Sequence, residues 1–269
     1  MIIGGSEFDT GNRCYVVGIL NATPDSFSDG GKWTAIDAAL RHAEDMIKDG
    51  ADIIDVGGES TRPGYKMITD REEIDRTARL IESLCSRFDA PVSIDTYKSA
   101  VAGAALNAGA VLVNDIWGLK HDGDMAGVIA RSGACCCLAH NRENICYSDF
   151  MRDMLSDLSE SAAIAENAGI ASGKIILDPG IGFAKTYGMD LEAINRLDII
   201  RALGYPVMLG ASRKRVIGAA LGLPVGERTG GSLAASVIGV MRGCSFVRVH
   251  DVKETRRAVV MAEAILGAG

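Results

Sequence analysis

Several polar residues in this sequence stand at the ends of short apolar runs, a position from which side chains can converge. Asp95-Thr96, Asn114-Asp115 and Asp178-Pro179-Gly180 each close such a run. Together Asp95, Asn114 and Asp178 offer two carboxylates and an amide, a set that fits a flat heterocycle with adjacent N–H and NH2 donors plus ring acceptors. Arg62, Arg248 and His250 follow two other runs. They supply cationic donors suited to an anion such as pyrophosphate. Asn21 ends the first run and offers a hard oxygen suited to Mg2+, which keeps several waters and shares substrate phosphates. Gly182, Phe183 and Lys185 lie just beyond Asp178, His140-Asn141 ends a further run, and Ser212-Arg213-Lys214-Arg215 follows another. Each residue alone also has an ordinary role. Asp95 reads as a helix N-cap, Asn114 as an Asx-turn residue, Asp178-Pro-Gly as a turn, Arg248 and His250 as partners of Asp251, and Lys214 as solvated surface. The case for chemistry is their convergence on one face.

Eight short runs must position these groups, at residues 14–20, 52–56, 91–94, 111–114, 134–139, 174–178, 206–210 and 246–249. Each is nearly continuous in apolar or β-branched residues, as in strands buried on both faces of a parallel sheet. Amphipathic helices lie between them. Ile36, Ala39, Leu40, Ala43, Met46 and Ile47 share one helical face, and Ile74, Ala78, Ile81 and Leu84 another. Gly50, Gly109, Gly133 and Gly169 stand where left-handed C-caps belong, and Thr34, Asp70, Thr96 and Ser148 where N-caps belong. About eight strand–helix pairs predict an α/β fold, a (β/α)8 barrel forming one domain over residues 1–269, with its site on the C-terminal rim. A doubly wound sheet would want a glycine fingerprint after the first strand, and NATPDSFSDGG is not one.

The chain has 269 residues, 48% hydrophobic and 23% charged, with a net charge of −7, which excludes a disordered chain and a broad basic surface for nucleic acid or anionic membrane. No apolar stretch is long enough to span a bilayer, and the start, MIIGGSEFDTG, lacks the features of a secretory signal. Seven cysteines without a paired spacing point to a reducing cytoplasm. Cys135, Cys136 and Cys137 are consecutive on a predicted strand, so they alternate between faces and read as small core residues, not metal ligands.

Eight segments in order, GILNATPDSFSDGG, ADIIDVGGESTRPG, VSIDTYKS, VNDIWGL, AHNRE, ILDPGIGFAKT, GASRKRVIG and RVHDV, resemble the dihydropteroate synthases of folate biosynthesis. The resemblance runs from Val17 almost to the C-terminus. It implies condensation of (7,8-dihydropterin-6-yl)methyl diphosphate with 4-aminobenzoate, releasing pyrophosphate. It further implies that Asn21 binds Mg2+ beside the diphosphate, and that Asp95, Asn114, Asp178 and Lys214 hold the pterin. Thr61, Arg62, Arg248 and His250 would surround the diphosphate. Asp25, Phe27, Asp29 and Pro63 would belong to two mobile loops, with Asp29 also stabilising positive charge, and Phe183 and residues 212–215 would line the aminobenzoate pocket. A homodimer is implied as well, for which the apolar last helix (Ala258, Val259, Ala262, Ile265, Leu266) offers a face that barrel packing explains equally well. Three positions depart from the commonest pattern: Ala22, Ala139 and Arg215, the last of which bears on the aminobenzoate contact. A related methyltetrahydrofolate:corrinoid methyltransferase barrel would share the Asp/Asn set but has no use for the diphosphate clamp formed by TRPG, SRK and RVH. A non-catalytic pterin-binding module should have lost loop or anion residues.

Overall fold

Continuous burial along each short run, on both faces of the strand, sets the architecture. The computed structural model describes residues 1–22, 32–59 and 67–268, with the backbone alone at 32–35. Eight strands form one parallel sheet: β3 (Tyr15–Asn21), β4 (Ile53–Gly57), β5 (Val92–Asp95), β6 (Leu112–Asp115), β7 (Cys135–Ala139), β8 (Ile175–Asp178), β9 (Met208–Leu209) and β10 (Phe246–Val249). Their spatial order is β8-β7-β6-β5-β4-β3-β10-β9. A parallel bridge between Leu177 and Val207 brings the ends together, with the Leu177 amide donating to the Pro206 carbonyl at 2.9 Å. The result is the expected (β/α)8 barrel.

Period-two alternation divides the strand residues. Val16, Leu20, Ile54, Val56, Val92, Ile94, Val113, Cys136, Leu138, Ile175, Leu177, Val247 and Val249 face outward into the core shared with the helices. Val17, Ile53, Leu112, Cys135, Cys137, Ile176, Met208 and Phe246 fill the lower interior. The three consecutive cysteines therefore split between two cores, as their alternation requires.

The helices are α1 (Lys32–Lys48), α2 (Asp70–Arg87), α3 (Ser99–Asn107), α4 (Met125–Ser132), α5 (Phe150–Asn167), α6 (Tyr187–Asn195), α7 (Leu197–Arg201), α8 (Arg215–Leu221), α9 (Thr229–Met241) and α10 (Val252–Leu266). Gly50, Gly109, Gly133 and Gly169 all have positive φ, as read from their places before the strands. The expected N-caps are displaced. Helix α1 begins two residues before Thr34. Thr69, not Asp70, caps α2 by accepting from the Glu72 amide, and Asp149, not Ser148, caps α5 by accepting from the Arg152 amide. Lys98 occupies the cap position of α3, where Thr96 was expected. Thr69, Lys98 and Asp149 have extended backbone, and Thr69 and Asp149 aim their side chains at the first turn.

An element not expected from the sequence is an antiparallel hairpin of β1 (Ile2–Ile3) and β2 (Ser6–Glu7), turned by Gly4 and Gly5 at φ 58° and 85°. It seats Ile3 and Phe8 in the lower interior, where the Phe8 ring lies 4.7 Å from Tyr15 and 5.9 Å from Phe246. The barrel floor is thus sealed by apolar side chains, and polar chemistry is confined to the opposite rim.

Candidate active site

On the inward-facing phase the interior changes character above Phe246 and Ile53. Arg248 of β10 donates through Nε to Asp55 Oδ2 and through Nη2 to Asp95 Oδ2, both at 2.6 Å. Ser93 of β5 donates to the other oxygen of Asp55 at 2.5 Å. Asp95 Oδ1 is buried and, among the described residues, has no hydrogen-bond partner. Burial pushes the Asp95 carboxyl up to about 7, with the Arg248 guanidinium pulling the other way. Asp95 and Asn114 are register partners on β5 and β6, so both present side chains to the same interior. Asn114 does not form the turn it might have made. Asp115 does, accepting from the amides of Trp117 and Leu119, both at 2.8 Å.

Asp178 ends β8 at the same level. Its Oδ1 accepts from the Gly180 amide at 2.6 Å, so the turn reading holds for this residue. Across from it, Gly210 leaves the interior open: a Cβ there would lie 3.4 Å from Asp178 Oδ2. Burial raises the Asp178 carboxyl while Lys214 opposes the shift, and burial lowers the Lys214 ammonium while Asp178 opposes that. Lys214 is not solvated surface. Its Nζ donates to the Ile181 carbonyl at 2.5 Å and lies 4.7 Å from the centre of the Phe183 ring.

Ser212 and His250 meet at the rim, Oγ to Nδ1 at 3.1 Å, and the His250 amide donates to the same hydroxyl. Asp251 takes the Arg213 guanidinium in a two-pronged contact, Nε to Oδ2 at 3.0 Å, while Arg248 goes to Asp55 and Asp95. That contact holds Arg213 at φ 56°, a left-handed conformation unusual for a branched chain of this size. Arg228, from the start of α9, donates to the carbonyls of Arg213 and Lys214 and fixes the same turn from below.

Part of this set opens into a cavity of about 270 Å3 whose wall includes Asn21, Asp95, Phe183, Ser212, Lys214, Arg215, Arg248 and His250, while Asn114 and Asp178 are not among its lining residues. Asp25, Phe27, Asp29, Thr61, Arg62 and Pro63 lie outside the described residues. No group of three or more His, Cys, Asp or Glu stands together among the described residues in a way that would hold a metal. Asn21 on the cavity wall nevertheless fits a magnesium ion that draws its other ligands from water and a substrate diphosphate.

Sequence reasoning missed Asp55 and Ser93, which lie inside strands and not at their ends. The signal was present in phase: Asp55 falls on the inward face with Ile53 and Gly57, between the outward Ile54 and Val56. It also missed the partners of Glu59, which accepts from Lys98 Nζ at 2.8 Å, Tyr97 Oη at 2.7 Å and the Ile68 amide at 2.9 Å.

A barrel whose rim carries such a set defines a class, and the comparisons agree. The family described as pterin binding enzyme matches residues 17–250, and the chain belongs to it. Within that family it falls with the dihydropteroate synthases, transferases of folate biosynthesis. The dihydropteroate synthase of Clostridium beijerinckii is 57% identical over 267 residues, 99% of each chain. A solved structure of dihydropteroate synthase from Clostridium difficile, in the presence of pteroic acid, superposes with a TM-score of 0.94 at 46% identity, covering 96% of this chain and 99% of that one. The enzyme of Xanthomonas albilineans solved with 4-aminobenzoic acid gives 0.91 at 37% identity, covering 96% and 95%.

Proposed function

We propose that the rim residues divide the dihydropteroate synthase reaction by depth in the barrel. The pterin ring lies lowest, its N–H and NH2 edge on Asp95 and Asp178, with Asn114 and Lys214 completing the set. The observation that carries this reading is the unpartnered Asp95 Oδ1, a buried acceptor beside the cavity. A buried acceptor left without a donor is costly, and a bound N–H relieves that cost.

The diphosphate lies higher, towards His250, Thr61 and Arg62. Mg2+ held by Asn21 supplies charge neutralisation to the leaving pyrophosphate when bound. Arg248 acts lower down than its family role alone suggests. Clamped by Asp55 and Asp95, it holds Asp95 in place beneath the exocyclic methylene. As the C–O bond breaks, that carbon becomes cationic and conjugated with the dihydropterin. Asp95, Asp178 and, from the first loop, Asp29 stabilise it by their charge. The neutral aniline nitrogen of 4-aminobenzoate then attacks, with Phe183 and residues 212–215 around its ring, and loses a proton. Order follows: the diphosphate binds first, and the loops bearing Asp25, Phe27, Asp29 and Pro63 complete the second pocket.

The protein acts in the cytoplasm, as a single domain and as a homodimer. No helix among the described residues is long and apolar enough to cross a membrane. The dimer is supported by an exposed apolar row on α9 and α10, Ile238, Met241, Val260, Met261, Ile265 and Leu266. Val259 and Ala262, on the other side of α10, are buried against the barrel.

The test is release of pyrophosphate and formation of dihydropteroate from the pterin diphosphate and 4-aminobenzoate, in the parent and in Asp178→Asn. The amide presents a donor where the pterin needs an acceptor, a buried mismatch of roughly 1–3 kcal/mol or more. Calorimetry with a pterin lacking the diphosphate should show affinity at least ten-fold weaker. Unchanged affinity would reject the placement of the ring.

A further inference from the structure

The loop 180–185 between β8 and α6 has left-handed backbone at every second residue: φ is 66° at Gly180, 86° at Gly182 and 43° at Ala184. Two of these are glycines, which adopt that conformation freely, but Ala184 is strained there. The loop also presses on the end of β7, since a Cβ on Gly180 would fall 1.9 Å from the His140 carbonyl oxygen. Such a path needs something to hold it.

The Lys185 side chain turns back beneath the loop, almost wholly buried at 1% exposure. Its Nζ lies 2.9 Å from the Gly180 carbonyl, 3.0 Å from that of Phe183, 3.2 Å from that of His140 and 2.8 Å from His140 Nδ1. No carboxylate among the described residues forms an ion pair with it. His140 Nε2 meets Asp157 Oδ2 at 2.9 Å, which assigns the ring proton to Nε2 and leaves Nδ1 as an acceptor for the ammonium. The Lys185 head group is thus enclosed by neutral acceptors from three points of the backbone and one ring, and burial pulls its pKa down to about 7, so the ammonium is the form held below that pH. From the other side, the Gly182 amide donates to Asp190 Oδ1 at 2.7 Å.

The outer surface of this loop is the wall of the site. Ile181, Gly182 and Phe183 line the cavity, the Ile181 carbonyl receives Lys214, and the Phe183 ring lies beneath the same ammonium. We propose that Lys185 is a positioning residue: its buried head group gathers the loop carbonyls and thereby sets the place of Phe183 for the second substrate. The inference rests on the reaction assigned above but concerns a group that reaction does not use.

Two variants and two readouts test it. Lys185→Met keeps most of the stem and removes the ammonium. We expect the KM for 4-aminobenzoate to rise at least ten-fold, with the KM for the pterin diphosphate changing by less than three-fold. In the ligand-free protein, amide hydrogen exchange in residues 179–187 should quicken at least ten-fold relative to the other strand ends. Lys185→Ala opens space for a small cation, and n-propylammonium should restore both readouts in a dose-dependent way, whereas n-propanol should not. The proposal is overturned if both KM values rise in equal proportion, if exchange in the segment is unchanged, or if alcohol and ammonium restore alike. A parent protein that makes no dihydropteroate would defeat the reaction reading alone, because the exchange measurement still decides the role of Lys185.

Discussion

Arg248 lies between Asp55 and Asp95, and its removal would leave two buried carboxylates facing one another. Breaking a buried pair from one side costs about 3–5 kcal/mol. Arg248→Ala should therefore lower the thermal midpoint markedly and weaken a simple pterin as well as the diphosphate. His250→Ala should spare both the midpoint and the simple pterin, and impair only the diphosphate substrate. Thermal unfolding and calorimetry with the two ligands separate the cases, and matched losses in the two variants would contradict the assignment by depth. Asp95 adds a dependence on pH. Its folded value of about 7 exceeds the ordinary value of 3.8, so between those limits the folded chain holds a proton that the unfolded chain has lost. Stability from this group is present below about pH 4 and is lost as pH rises towards 7, by at most about 1.4 kcal/mol per pH unit. Urea unfolding of Asp95→Asn should show a shallower fall over that window, whatever the variant does to the overall level. An unaltered slope would mean that Asp95 is ionised throughout. At this scale the residues ending strands were legible, because a barrel directs strand ends to one rim. Asp55 and Ser93 were not, since a polar residue inside an apolar run reveals its facing only when the phase of the whole strand is known. The grip of Lys185 on three carbonyls was hidden for a different reason: it depends on a loop path with no periodicity.

The eight barrel strands and the glycine-ended helices were recovered because continuous apolar runs and left-handed caps are both local signals. N-caps slipped by a residue or more, since Thr69, Thr96, Ser148 and Asp149 are all plausible cap types and only the backbone angle chooses among them. The β1–β2 hairpin left still less trace: two strands of two residues, joined by Gly-Gly, look like a frayed end. Its contribution is to packing. Ile3 is fully buried in the barrel floor. Truncating such a side chain costs about 2–5 kcal/mol. Ile3→Ala should thus lower the urea midpoint strongly while leaving the KM of both substrates within about two-fold. A variant that unfolds like the parent would show that the floor is sealed without the hairpin.

The parallel barrel as a whole was legible from the alternation of strand and helix, whereas the face proposed for a dimer was not. Sequence marks α10 as apolar without saying which residues the barrel takes, and the structure divides them: Val259 and Ala262 inward, Ile265 and Leu266 outward. Ile265→Glu should convert the proposed homodimer to a monomer in sedimentation velocity, with pterin affinity retained. A parent that sediments as a monomer would remove the homodimer from the account. One other property belongs to the whole chain. The ring of strands is joined between β8 and β9 by the Leu177–Val207 bridge, while β3 and β4 share a register of five residue pairs. That seam is the weakest link in the hoop, and Asp178 and Gly210 stand at its two lips. A pterin resting on Asp178 and reaching over Gly210 would act as a clasp. Occupancy of the site would then be felt as tension around the entire circumference, and the Leu177 amide would sense a ligand that never touches it.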